Sequence, residues 1–406
     1  MSEVAVKDPQ DHHVTRREFL RNAACGAAAT GIGALAVGAF GAEKAPANPA
    51  KPLLPHGMLG RTKYPVTFVS FGAIRISEKQ GTRILKAAID RGINLVHTSK
   101  SYVNGRSIAA VGDLFKADKA YRDKVFLCLK SYTPEKEAEV DEMLTILGTD
   151  HVDGLFTELH KPDPRRLEAI QKQQDALKKK GKLRHTGFVC HGDMTGVMEM
   201  VLDKAPAYFD AALLSLAPVG GGRRRQRGPE QKGDAFLKDL GAMRKNGVGI
   251  LSMKSGAQSA VEKGVSVFQP HVKALLEAGA DSVLTSINSL EQVETVKALD
   301  LKDIRPSAAE KRAAAEFFDG RSGACIMCAA CARACPNGVP VNDLMRVRMY
   351  HDEYGWPDHA RSEFRALGGD LAALTARCGD CTACAEVCPV RLANAATVRR
   401  IAATFA

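Results

Sequence analysis

Aromatic residues are scarce in this sequence, and no nucleic-acid recognition motif is present. Phe, Trp and Tyr make up 6% of the 406 residues, while the formal net charge is +11. A basic surplus is typical of nucleic-acid-binding proteins when it is clustered and interleaved with aromatic residues. Here the basic residues are spread along amphipathic segments, so we expect no nucleic-acid partner. The charge then forms a solvated surface, or attracts an acidic redox protein or an anionic envelope surface.

Strongly apolar runs are missing as well. The longest weakly polar run, residues 23–40, is built mainly from Ala and Gly, and it only marginally reaches the ~20 residues that a membrane span requires. It follows Arg16 and Arg17, an order that resembles a twin-arginine export signal, which carries folded proteins. We therefore predict an export signal and linker in residues 1–47 and a location in the periplasm or cell envelope. Membrane contact would come only through an uncleaved signal.

Cysteine, by contrast, is concentrated near the carboxyl terminus. Eight of the eleven cysteines form two copies of the pattern Cys-x2-Cys-x2-Cys-x3-Cys-Pro. The two copies contain Cys325, Cys328, Cys331, Cys335, and Cys378, Cys381, Cys384, Cys388. This spacing is typical of two [4Fe-4S] clusters, because three close cysteines hold three corners of a cubane and the fourth arrives from elsewhere. Zinc and disulfides are the alternatives, but zinc sites rarely use this spacing.

The ligands of the two clusters are expected to cross between the copies. In two-cluster ferredoxins the fourth cysteine of each pattern serves the other cluster. Cys388 would therefore complete the cluster of the first copy, and Cys335 would complete the cluster of the second. The apolar spacing between the copies predicts helices, so we expect residues 306–406 to form a mainly helical dicluster domain.

Residues 53–305 alternate short apolar strands with amphipathic helical segments. The predicted strands are 66–74, 93–98, 125–130, 152–160, 183–190, 209–216, 249–254 and 282–287. About eight strand-helix units in about 250 residues predict an α/β fold, a (β/α)8 TIM barrel. In that fold the chemistry lies at the carboxyl ends of the strands.

The residues at those strand ends suggest a proton-donor site. The second strand, 93–98, contains His97 near its end and is followed by Tyr102, the third ends at Lys130, and the fourth ends at His160. A lysine cation lowers the pKa of a neighbouring tyrosine from its usual value of about 10. A histidine can share the proton or orient a carbonyl oxygen.

These residues stand in motifs that resemble the aldo/keto reductase family, and the whole chain resembles an exported subgroup with a carboxyl-terminal 4Fe-4S domain. The matching stretches are 59–62, 92–102, Lys130, 152–160, 182–187 and 253–254. The resemblance implies Tyr102 as general acid, Lys130 as its activator and His160 as the group that orients the carbonyl. His97 stands where the family has an aspartate that pairs with the lysine. A neutral histidine supplies no negative charge there, and Lys100 adds a further positive charge.

The loop after the eighth strand also departs from the family. It has no basic residue before Lys297, so a 2'-phosphate loses its usual partner. NAD(P) is therefore an open cofactor assignment, with candidate contacts at Lys254, Ser286, Asn288 and Gln292. The segment 220–225, Gly-Gly-Gly-Arg-Arg-Arg, is either an anion site or a flexible solvated loop.

The remaining candidates have structural interpretations. Cys128 and Cys190 lie inside apolar strands and are expected to be packing residues. His185 and His191 flank the fifth strand, and we assign neither to the site because a lone histidine is more often structural.

The sequence as a whole predicts an exported iron-sulfur oxidoreductase. Its barrel would couple two-electron chemistry on an unidentified small molecule to two [4Fe-4S] clusters, and a redox protein would be its electron partner. The alternative is a barrel that only binds or docks, with clusters that serve electron transfer or structure.

Overall fold

Eight parallel strands close into a barrel, preceded by a short hairpin. The computed structural model describes residues 53–134, 136–216, 230–320, 325, 327, 329–388 and 392–406, without the side chains of 230–235 and 318–320. The hairpin strands are β1 (His56–Met58) and β2 (Pro65–Thr67). The barrel strands are β3 (Val69–Gly72), β4 (Leu95–Thr98), β5 (Phe126–Ser131), β6 (Val152–Glu158), β7 (Leu183–Val189), β8 (Ala211–Leu214), β9 (Gly249–Ser252) and β10 (Ser282–Ser286). The predicted (β/α)8 fold is confirmed.

The first predicted strand, 66–74, is divided in the structure. Its beginning belongs to β2, which pairs antiparallel with β1, and its centre forms β3. The chain changes partner at Phe68, whose amide donates to the Pro55 carbonyl at 3.1 Å. Thr67 stabilises the change, because its hydroxyl donates to the Val69 carbonyl at 2.8 Å. The apolar pattern is continuous across this change of sheet, so the sequence alone did not show it.

Helices follow the barrel strands and then form the carboxyl-terminal region. Those of the barrel are α1 (Glu78–Asp90), α2 (Arg106–Ala117), α3 (Ala120–Asp123), α4 (Glu137–Leu147), α5 (Pro164–Lys179), α6 (Met194–Lys204), α7 (Glu230–Lys245), α8 (Ala257–Val261), α9 (Val265–Glu277) and α10 (Leu290–Lys297). Those that follow are α11 (Ala308–Gly320), α12 (Ala330–Arg333), α13 (Val341–Arg348), α14 (Pro357–Leu367), α15 (Leu371–Ala376), α16 (Ala383–Glu386) and α17 (Asn394–Phe405). A π-helical turn, Met349–Glu353, continues α13.

Side-chain caps fix the loops at the carboxyl end of the barrel. The Asp163 carboxylate accepts from the Arg166 amide at 3.2 Å, and Pro164 opens α5. Asp193 caps α6 in the same way, and the Ser289 hydroxyl caps α10. Each cap satisfies an amide that the first helical turn leaves without a partner. The loops after β6, β7 and β10 are therefore held at the barrel mouth, where the predicted site lies.

Two apolar cores stabilise the described residues beyond the interior of the barrel. One lies between the barrel strands and the surrounding helices. The other joins the carboxyl-terminal helices through residues such as Leu344, Val347 and Ile401, and Ile74 from the barrel packs against it. Barrel and carboxyl-terminal helices belong to one compact unit. Across the described ranges, none of the helices combines the length and apolarity needed to cross a bilayer.

Three features of the sequence lie outside the described residues. They are the predicted export signal in residues 1–47, the glycine and arginine segment 220–225, and the cluster cysteine Cys328.

Candidate active site at the barrel mouth

The four catalytic candidates from the sequence lie at the carboxyl ends of neighbouring strands. His97 lies in β4, Tyr102 in the turn that follows, Lys130 in β5, and His160 just beyond β6. His97 and Lys130 are each 2% exposed and Tyr102 is 7% exposed. Because β4, β5 and β6 are adjacent in the barrel, the fold brings the four side chains to one mouth.

Lys130 has a carboxylate partner that the sequence did not suggest. Its ammonium forms a buried ion pair with Glu158, the last residue of β6. Burial alone would lower the pKa of Lys130, but the Glu158 carboxylate raises it above its usual range. Burial would raise the pKa of Glu158, yet His160 and Lys130 hold it well below its usual range. Position 97 on β4 lacks the aspartate of the family. Glu158 on β6, two strands away, supplies the negative charge beside Lys130 instead.

Tyr132 is the phenol that Lys130 contacts directly. The Lys130 ammonium donates to the Tyr132 hydroxyl at 3.0 Å and lies 4.1 Å from the ring centroid. The Ser101 and Tyr132 hydroxyls are 2.6 Å apart. Burial raises the pKa of Tyr132 well above its usual value. Tyr132 follows the end of β5, and that placement is the one sequence signal that could have identified it.

Tyr102 and His97 lie beside each other at the mouth. Their ring centroids are 5.9 Å apart. Burial raises the pKa of Tyr102, and Lys130 only partly offsets that effect. The expectation that Lys130 brings this phenol towards neutral pH is therefore wrong. Burial and Lys130 lower the pKa of His97 to about 3, so its imidazole stays neutral and does not repel Lys130.

His191, which the sequence analysis excluded, belongs to this mouth. Its Nδ1 lies 3.6 Å from Glu158 Oε1, and the His160 and His191 ring centroids are 5.6 Å apart. His160 Nε2 lies 2.5 Å from Glu158 Oε2, where an ionised carboxylate can only accept the hydrogen bond. Burial, followed by the charge of Lys130, lowers the pKa of His191 well below its usual value.

The carboxyl-terminal helices cover the mouth. Lys254 donates to the Tyr350 hydroxyl at 3.0 Å, and Tyr350 is 2% exposed. The Asn342 side-chain amide donates to the His191 carbonyl at 2.5 Å. Arg333, the last residue of α12, forms an ion pair of 2.7 Å with Asp193. The site therefore lies between the barrel and the carboxyl-terminal helices.

A second buried ion pair lies in this cover. Arg346 of α13 pairs with Glu363 of α14, and the two residues are 2% and 8% exposed. Burial would lower the pKa of Arg346, but Glu363 raises it well above its usual range. Burial would raise the pKa of Glu363, yet Arg346 and Lys130 lower it. Lys130 is thus near enough to act on a carboxylate of the carboxyl-terminal region.

Comparison with known proteins agrees with the division into a barrel and a carboxyl-terminal helical region. The Aldo/keto reductase family model matches residues 69–258, and the 4Fe-4S dicluster domain model matches residues 305–392. This chain carries an aldo/keto reductase domain and a 4Fe-4S dicluster domain. The aldo/keto reductases are a family of oxidoreductases.

The relatives differ in how much of each chain they cover. Aldo-keto reductase YhdN of Bacillus subtilis (strain 168) is 33% identical over 128 residues, which are 27% of this chain and 37% of that protein. This chain thus aligns with little more than a third of its curated relative. Aldo-keto reductase AKR11C1 from Bacillus halodurans has a TM-score of 0.50 at 17% identity, covering 65% of this chain and 96% of that one. MGS-M4, an aldo-keto reductase from a deep-sea metagenome, also scores 0.50, at 13% identity over 64% and 94% of the two chains.

The residues proposed for a dinucleotide have other contacts in this aldo/keto reductase domain. Lys254 donates to Tyr350, and burial and Arg346 lower its pKa well below its usual range. The Gln292 side-chain oxygen accepts from the Asn288 amide at 2.8 Å. Ser286 ends β10. Lys254 and Gln292 are thus engaged within the protein, and this arrangement does not fit a bound dinucleotide.

The described cysteines of the dicluster domain fit iron-sulfur ligation. Cys331 lies on α12 and Cys384 on α16, two short helices that contact each other. After burial, the charge of Cys335 is the main influence raising the pKa of Cys378, and it also raises that of Cys384. The sulfur of Cys335 is therefore close to the second copy of the pattern. Backbone amides donate to sulfur at Cys325 and Cys388, each at 3.4 Å, which favours thiolates.

Other residues singled out from the sequence have structural contacts. Cys128 and Cys190 are fully buried in the apolar cores, as the packing interpretation required. Lys100 pairs with Glu142 at the surface, so it adds no charge beside Lys130. His185 lies near the beginning of β7 with its Nδ1 3.6 Å from Asp210.

Proposed function

We propose that this chain is an exported iron-sulfur oxidoreductase that interconverts a carbonyl compound and its alcohol at the barrel mouth. The observation that carries the proposal is the connected series Tyr132, Lys130, Glu158 and His160. It lies at a mouth that Tyr350 and Asn342 of the dicluster domain contact. When bound, two [4Fe-4S] clusters supply and accept one electron each, and a carbonyl and its alcohol differ by two electrons and two protons.

The connected residues are suited to moving and holding protons. Glu158 keeps Lys130 charged, and Lys130 stabilises the phenolate that Tyr132 would become after donating its proton. His160 is hydrogen-bonded to Glu158. Its side chain is 29% exposed, and that of Glu158 is 7% exposed. Tyr132 is partly buried. Tyr132 and His160 are therefore the members that can reach a substrate, while Lys130 and Glu158 set their charge.

The first experiment tests carbonyl chemistry with the whole protein. The protein is loaded with clusters under anaerobic conditions, reduced with dithionite and freed of excess reductant. It is then mixed with a panel of aldehydes and ketones. We expect at least one compound to re-oxidise the clusters, seen in visible absorbance, with an alcohol product. A panel that leaves the clusters reduced, and yields no alcohol, would overturn the proposed reaction.

The two phenols can be separated by matched substitutions. We expect Tyr132→Phe to slow re-oxidation by about 10²-fold, because a positioned general acid contributes about 10²–10⁴-fold. Tyr102→Phe is predicted to change the rate by less than about tenfold, because the Lys130 ammonium donates to Tyr132, whereas the ring of Tyr102 contacts His97. If Tyr102→Phe is the damaging variant, the direct contact of Lys130 with Tyr132 is not the working one. Equal rates in both variants and the parent would exclude both phenols as the general acid. A parent protein that forms no alcohol would favour the alternative, a barrel that only binds.

Crossed ligation of the clusters gives a second test. We propose Cys378, Cys381, Cys384 and Cys335 for one cluster and Cys325, Cys328, Cys331 and Cys388 for the other. We expect Cys335→Ser and Cys384→Ser to leave the same residual paramagnetic signal, with about four of about eight irons lost. Cys388→Ser should leave the complementary signal. Uncrossed ligation predicts instead that Cys388→Ser resembles Cys384→Ser.

Location and partner complete the proposal. The twin arginines and the run that follows support export of the folded protein, and the +11 charge suits an acidic redox protein as electron partner. The amino-terminal sequence of protein isolated from the cell envelope tests this. A mature chain that starts within residues 42–48 supports export, and a cytoplasmic chain that retains Arg16 and Arg17 contradicts it.

A further inference from the structure

We infer that Glu158, His160 and His191 form a binding site for a divalent transition-metal ion at the barrel mouth. Their ligand atoms all lie within 4.8 Å of one another. Two imidazoles and one carboxylate are a ligand set that holds zinc or ferrous iron and leaves positions open for a substrate oxygen. This inference goes beyond the proposed reaction, because it stands on these three side chains and not on the electron source.

The strand register explains why the three residues meet. Glu158 pairs with Val189 across β6 and β7. His160 and His191 each lie two residues further along their chains, so the pleat places them at the same level. The Asp193 amide donates to the His160 carbonyl at 2.7 Å, which ties the two loops together. Two adjacent, hydrogen-bonded backbones thus hold the ligands.

His191 has no other evident role for its ring nitrogen. It is 4% exposed, and Nδ1 has no hydrogen-bond partner among the residues that the structure describes. A buried polar atom without a partner is destabilising by about 1–3 kcal/mol. Its 3.6 Å separation from Glu158 Oε1 is too long for a hydrogen bond, so the carboxylate does not satisfy it. A shared cation would give Nδ1 the partner that it lacks.

The surroundings resemble the outer contacts of metal sites. Lys130 binds Oε1 of Glu158, while Oε2 faces His160. Carboxylates that bind metals are commonly held by a second hydrogen-bond donor, and Lys130 can do this without blocking Oε2. The 2.5 Å contact between Oε2 and His160 Nε2 would widen by about 1 Å as the ion replaces the shared proton.

Metal analysis of the cluster-loaded protein tests the inference. The protein is treated with a mild chelator, dialysed against Zn²⁺ and analysed for zinc, iron and acid-labile sulfide. We expect about one zinc per chain in the parent, and at least a tenfold weaker zinc affinity in His191→Ala and in His160→Gln, with sulfide unchanged. The matched control is His185→Ala, a histidine near the other end of β7, which should keep the zinc. Zinc equally retained by all three variants, or absent from the parent, would overturn the site.

A second measurement does not depend on folding of the variants. Anomalous diffraction from crystals of the zinc-treated parent, recorded on both sides of the zinc edge, locates the ion directly. We expect a peak bounded by Glu158, His160 and His191. A zinc peak confined to the cysteine patterns, or to surface carboxylates, would contradict the inference.

Discussion

Substitution of Lys130 by Met is expected to slow cluster re-oxidation by a carbonyl substrate by about 10²–10⁴-fold. Lys130 is buried between Glu158 and Tyr132, so its loss removes the cation that stabilises an ionised phenol. Methionine keeps most of the side-chain length and therefore most of the packing. The measurement is the rate of absorbance recovery of dithionite-reduced protein after mixing with the best compound of the panel.

Controls separate this effect from damage to the protein. Lys100→Met removes a lysine of the same mouth loop that pairs outward with Glu142, and it should leave the rate within about twofold. Iron and sulfide content should equal the parent in both variants. A Lys130→Met protein that is fully loaded and reacts at the parental rate would exclude Lys130 from the reaction, and with it the barrel mouth as a proton-transfer site.

Removal of Glu363 is expected to destabilise the protein by about 3–5 kcal/mol. Glu363→Ala leaves the Arg346 guanidinium buried and without its main counter-charge. Denaturant unfolding without oxygen, followed by far-ultraviolet circular dichroism, measures the change in unfolding free energy. The double substitution Arg346→Met with Glu363→Leu should recover most of the loss, because a buried apolar pair avoids the desolvation of two charges.

An exposed ion pair provides the comparison for Glu363. Glu277 and Lys311 join α9 and α11 at 2.7 Å, with both side chains about half exposed. Glu277→Ala should therefore change the unfolding free energy by less than about 1 kcal/mol. If Glu363→Ala lowers the unfolding free energy no more than Glu277→Ala, the ion pair between α13 and α14 does not stabilise the helices over the barrel mouth.

Periodicity and strand order were readable from the sequence because both are local. Seven of the eight barrel strands have the predicted position to within two residues at either end. The eighth, β3, was joined to β2 in the prediction, since one apolar run serves two sheets. The cysteine spacing likewise indicated the cluster ligands, because one tight loop supplies three corners of a cubane.

Contacts between distant strands were not readable in the same way. The missing aspartate at position 97 suggested a lysine without a counter-charge, but Glu158 pairs with Lys130 across β5 and β6. His191 was dismissed as a lone histidine, yet the register of β6 and β7 sets it beside His160.

The sequence by itself determined the barrel, the helical dicluster domain and the set of residues at the strand ends. Only the tertiary structure decided which of those residues contact one another, and that Tyr350 and Asn342 of the carboxyl-terminal helices close over them. The physical reason is that element formation follows nearest-neighbour periodicity along the chain. Charge pairing and burial depend on separations in space, and at this barrel mouth the loss of one charge on β4 is balanced from β6.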